Sequence, residues 1–223
     1  MLVGAGNAWR GLVHAAVVAG LLTGCGGGPA EGDAEAAAST SAAADPATAT
    51  PASGEAESGG TIGTVGSACE LPVTFDIAAR WEAESVAVAQ DAPKELADLV
   101  WRQGPVTAAC EVDAKPAGHI GFLRVFTGEP GDTDTRAVLE AFLAADKGVG
   151  EETYQPFATG DLHGTEVEYL YDSELTDGTK TERALAVTTP DGPVVLHLGG
   201  LDTAEHQAML PAYELAKRTL RTS

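Results

Sequence analysis

From residue 72 onward the chain alternates apolar and polar side chains in short runs. Val73, Phe75 and Ile77 fall at period two and predict a strand over 72–78. Val86 and Val88 mark a second, short strand. Asp91 then supplies a helix cap with Pro93 in the first turn; Leu96, Leu99 and Val100 form the apolar stripe and Gly104 ends it. Val106, Ala108, Cys110 and Val112 alternate again, as one face of a strand. Pro116-Ala117-Gly118 turns the chain into a strand from Ile120 to Phe126. Asp132 or Thr133 caps a helix through Val138, Leu139, Phe142 and Leu143, which Gly148 closes.

The remainder reads as a meander and a last helix. Val167-Glu168-Tyr169-Leu170-Tyr171 is a strand, and Leu185 and Val187 lie on another. Asp191-Gly192 is a hairpin turn from which Val194, Leu196 and Leu198 pair back. A helix begins near Thr203, with Met209, Tyr213, Ala216 and Leu220 on one face and Pro211 placed to kink it. Hairpins dominate this order, so the fold class is α+β, a mainly antiparallel sheet flanked by helices.

The first residues follow another pattern. Gly11 to Leu22 is an apolar run preceded by Arg10, shorter than the roughly 20 residues that span a bilayer. It ends in Leu22-Thr23-Gly24-Cys25, which resembles the lipobox of bacterial lipoproteins. The resemblance implies cleavage before Cys25 and lipid attachment to its thiol. Two acyl chains, each worth about 0.8 kcal/mol per buried CH₂, would anchor the chain stably. Residues 26–66 hold no Lys, Arg or aromatic residue, and their only large aliphatics are Ile62 and Val65. Such a stretch buries too little apolar surface to offset its ordering entropy and reads as a disordered tether. Its Ser/Thr/Pro patch at Thr48, Thr50, Pro51 and Ser53 is of the kind that carries O-linked sugar. The expected organisation is a signal peptide over 1–24, a lipidated Cys25 and linker over 25–66, and one globular domain over 67–223.

The domain's element order resembles the PsbP-like fold, a family of extrinsic photosystem subunits and actinobacterial envelope lipoproteins. The likeness rests on the apolar strand leading from Phe75 to Trp81, the hairpin–helix–meander order and the terminal helix with Tyr213. It implies an α/β/α sandwich and a largely non-catalytic protein that binds proteins or small envelope ligands.

Charge narrows the partners. Against 33 acidic residues stand 13 Lys and Arg, a net charge of −20. Nucleic-acid binding, which draws its affinity from cations meeting phosphate, is excluded. Cys69 and Cys110 form an even pair outside the cytoplasm and predict a disulfide. No G-x-S-x-G, S-x-x-K, H-E-x-x-H or C-x-x-C occurs, so neither serine nor zinc chemistry is expected. His197 stands alone among Val194, Val195, Leu196 and Leu198 and reads as a satisfied strand residue. Asp172, Glu174, Asp177 and Glu182 gather near Gly178, but their spacing fails the EF-hand pattern, and no cofactor or metal is assigned.

Three side chains remain as candidates for binding. Arg124 shares a strand face with Ile120, Phe122 and Phe126; the reading is a cross-strand ion pair with Glu166 or Glu168, or an anion-recognising guanidinium in an apolar groove. Tyr169 and Tyr171 share a face with Val167, as core under a helix or as an aromatic patch that anchors a partner. The function expected is a non-catalytic binding or regulatory module for an envelope protein or component. It would be held on the extracytoplasmic face of the cell membrane by its lipid anchor. Behind it stand a carrier or sensor of an amphipathic small molecule and, last, a cell-wall hydrolase.

Overall fold

The computed structural model describes residues 54–86, 101–173 and 178–223. Within them lie β1 (Ser58–Ile62), β2 (Val73–Ala78), β3 (Glu82–Ser85), β4 (Arg102–Gln103), β5 (Val106–Asp113), β6 (Gly121–Gly128), α1 (Thr135–Leu143), β7 (Val149–Thr159), β8 (Leu162–Ser173), β9 (Gly178–Thr189), β10 (Gly192–Gly200), α2 (Thr203–Thr219) and β11 (Arg221–Thr222). An eight-stranded sheet runs β3-β5-β6-β10-β9-β8-β7, with β4 also on β5, and every ladder in it is antiparallel. A three-stranded sheet, β1-β2-β11, carries both ends of the described chain. The fold is therefore the expected α+β arrangement.

Each face of the large sheet has its own core. Under α1 lie Val106, Ala108, Phe126, Val167, Ala184, Ala186 and Val195, packed on Val138, Leu139, Phe142 and Leu143. On the other face, Leu123, Val125, Leu185, Val187, Leu196 and Leu198 meet Met209, Tyr213 and Ala216 of α2 and Val73, Phe75 and Ile77 of β2. Met209, Tyr213 and Ala216 of α2 and Leu220 just past its end, the four apolar positions that the periodicity selects, are all buried. Asp202 caps this helix, its side chain accepting from the Glu205 amide at 2.8 Å. The helix continues through Pro211.

Five expectations need correction. The linker does not extend to residue 66, because Ser58–Ile62 pairs with β2 and Ile62 is buried. The short strand after Trp81 is Glu82–Ser85, ahead of Val86, and the cap of α1 is Asp134, which accepts from the Ala137 amide. Arg102 and Gln103 form a strand on β5 rather than the end of a helix; the rest of the helix expected from Asp91 lies outside the described residues. Val106, Ala108, Cys110 and Val112 do not share a face. The ladder with β6 shifts between Ala108 and Cys110, so the first two point under α1 and the last two toward α2.

Cys110 thereby meets Cys69, and the two form a disulfide with Cα atoms 5.9 Å apart. The bridge joins the loop after β1 to the large sheet.

Candidate functional site

The α1 face carries a band of polar side chains across five adjacent strands. Register sets it. Glu111 on β5 stands opposite Arg124 on β6, and Arg124 stands opposite His197 on β10. On β9, Glu182 is two residues from Ala184, the partner of His197, and directly opposite Tyr169 on β8. Directly paired antiparallel residues share a face, so all five side chains point to one side of the sheet.

The inner end of the band is closed. Tyr169, 3% exposed, donates its hydroxyl to Glu182 Oε2 at 2.9 Å. His197 Nε2 lies 2.9 Å from the same oxygen and 3.0 Å from the tyrosine Oη. Lys180 Nζ meets Glu182 Oε1 at 2.7 Å and donates to the Gly200 carbonyl. Phe142 of α1 covers the imidazole, with ring centroids 5.8 Å apart. Burial alone would push the Glu182 carboxyl up, but His197 and Lys180 outweigh it and hold the group at about 2. Burial and the Glu182 charge push Tyr169 well above the ordinary tyrosine range. The result is an ionised carboxylate with its acceptors filled and a tyrosine held neutral.

The outer end is open. Arg124 donates from Nε to Glu111 Oε1 at 2.5 Å and lies over the Phe122 ring at 5.1 Å. It is half-exposed and borders a groove of about 200 Å³ with Trp101, Gln103, Ala108 and Phe126. Among the described residues its terminal guanidinium nitrogens donate no hydrogen bond.

The candidates therefore separate. Arg124 is ion-paired as expected but with Glu111, because β6 is flanked by β5 and β10 while Glu166 and Glu168 stand on β8. Those acids lie on the sheet's other face, and Glu166 bonds to α2. Glu166, 2% exposed, accepts from Lys217 and Gln155, and Glu168 pairs with Arg183. Ile120, half-exposed, precedes β6 and takes no part in the apolar face. Tyr169 is not part of an exposed patch; only Tyr171, partly buried with Lys180 over its ring at 5.4 Å, reaches the rim. Glu182 leaves the acidic loop for the core, and Glu174 and Asp177 lie outside the described residues. No three His, Cys, Asp or Glu among the described residues are grouped to hold a metal. Cys25 too lies outside the described residues. The Glu182–His197 pair escaped the sequence reading. Its only signal is that Glu182 keeps period two with Ala184 and Ala186.

The domain is thus an α+β fold with a packed sheet and a small groove beside Arg124. The chain belongs to a family described as uncharacterised lipoprotein, whose model matches residues 37–220. The chain is also similar to the solution structure of cyanobacterial PsbP (CyanoP) from Synechocystis sp. PCC 6803, at 13% identity and a TM-score of 0.45 over 74% of this chain and 98% of that one. No curated protein matches it.

Proposed function

We propose that this lipoprotein is a non-catalytic binding module, tethered through Cys25 to the extracytoplasmic face of the cell membrane. Its outer groove takes an anionic side chain of an envelope protein. The observation that carries this is Arg124, whose guanidinium is anchored through Nε by Glu111 and half-open beside Trp101 and Phe126. A guanidinium fixed at one nitrogen and free at the others is pre-organised for a carboxylate, and aromatic neighbours are common at interface anchors. A groove of about 200 Å³ suits one side chain better than an amphipathic lipid, since ligand pockets run from about 300 Å³ upward. The Cys69–Cys110 disulfide fits an oxidising compartment. The lipobox at Leu22-Thr23-Gly24-Cys25 supplies the anchor, and its small residue before Cys25 lets the peptidase reach the bond to be cut.

The test is crosslinking in the protein's own cells with a photoreactive residue at position 102, on the groove's wall. An adduct that is lost in Arg124→Gln and kept in Arg136→Ala supports the reading. An adduct of equal yield in Arg124→Gln removes the groove from it. Fatty-acid labelling abolished by Cys25→Ser supports the anchor, and unchanged labelling refutes it.

A further inference from the structure

The only described link between the tether and the large sheet that is covalent and bypasses β2 is the Cys69–Cys110 bridge. The segments on either side of Cys69 differ in how firmly they are held. β1 is an edge strand of Gly, Ser, Thr and Ile whose ladder slips between Ser58 and Gly60, and Ile62 is its one buried residue. Ahead of it, Glu55 meets Arg218 at 3.4 Å in an exposed pair, which contributes little. The following loop is tied by three main-chain bonds, Gly63 to Cys69, Ser67 to Thr64 and Leu71 to Gly63. From Cys69 onward the chain enters the core: Cys69, Leu71, Val73 and Phe75 are buried, and β2 is flanked on its other side by β11 and covered by α2.

We infer that the bridge is a force-bearing clasp. Tension arriving from the residues before Gly54 peels β1 and its loop from β2 and stops at Cys69, from which the load passes through sulfur to Cys110 in β5. β5 also carries Glu111, the anchor of Arg124, so the load enters the sheet that bears the groove without passing through β2. The inference takes its occasion from the tethered reading above, but it concerns the domain alone and is tested without partner or lipid.

The experiment is single-molecule pulling on the full chain. One handle is at the N-terminus and the other is a peptide inserted after Gly160, in the exposed turn between β7 and β8. The oxidised protein should show a first, low-force extension from residues 54–68 of no more than about 50 Å, at about 3.3–3.6 Å per residue. The large sheet should then hold to a distinctly higher force. In the Cys69→Ala/Cys110→Ala variant the first event should run into β2 and exceed that limit. Because both cysteines are buried in the resting fold, dithiothreitol should cleave the bridge only after the first event, with a rate that rises with tension. The last readout keeps both cysteines and stands if the variant fails to fold. A first event of equal length with and without the bridge overturns the inference. So does direct global unfolding of the oxidised protein, or cleavage independent of force.

Discussion

Glu182 and His197 lie on neighbouring strands one diagonal step apart, and their Oε2 and Nε2 atoms meet at 2.9 Å inside the α1 core. Lys180 and Tyr169 complete the carboxylate's shell. A buried pair of this kind adds little by existing, but removing one member strands the other. His197→Ala should therefore cost about 3 kcal/mol or more in urea unfolding. A loss below about 1 kcal/mol would show the cluster to be dispensable.

Acid should destabilise the fold in two stages. His206 is 1% exposed, and neither ring nitrogen finds a hydrogen-bond partner. Burial, helped by Arg183, pulls it down from 6.5 to about 4. The unfolded chain takes up this proton first, so stability falls as pH drops from about 6.5 to about 4 and levels below. Glu182 falls from 4.5 to about 2, so its contribution is complete above 4.5 and is lost between 4.5 and 2. Unfolding free energies across pH 7 to 3 should show the first slope in the parent and lose it in His206→Leu. A slope that survives this substitution assigns it to other groups.

Two ion pairs should behave oppositely. Lys217 neutralises Glu166 in the α2 core, so Lys217→Met leaves a buried carboxylate uncompensated and should cost about 3 kcal/mol. Arg136 pairs with Glu140 one turn away on exposed α1, and Arg136→Ala should cost no more than about 0.5 kcal/mol. Equal losses in thermal unfolding would contradict the assignment of one pair to the core and the other to the surface.

Breaking the bridge in solution has its own cost. Cys69 and Cys110 are separated by 41 residues, and releasing that loop in the unfolded chain is worth about 4 kcal/mol. The Cys69→Ala/Cys110→Ala variant should lose about that much in denaturant unfolding. An unchanged midpoint would mean the unfolded state gains no freedom.

The legible parts are those where several local signals coincide. α2 has a cap at Asp202, an apolar stripe from Met209 to Leu220 and basic residues in its last turn, and the sequence reading places it. β1 is invisible because Ser, Gly and Thr serve equally in a linker; its partner β2 makes it a strand. β7 hides for a related reason: at the sheet's edge only one side is paired, so Tyr154 and Phe157 are half-buried and its alternation is weak. Arg124 shows the deeper limit. That it needs a carboxylate follows from its place on a strand face, but which one depends on strand order, a non-local property. Glu182, one acid among 33, reveals its role only when β9 is set beside β10.

The irregularity in β5 has a consequence for parity. An unbroken strand spends its odd residues on one side and its even residues on the other, so Cys110 would have followed Val106 and Ala108 under α1. The surplus residue, Ala109, changes the count by one, and Cys110 faces Cys69 instead. One strand thus contributes same-parity residues to both hydrophobic layers, its beginning to one and its end to the other. Deleting Ala109 would leave both layers supplied, because the strand would then alternate without a break and still turn Cys110 toward its mate.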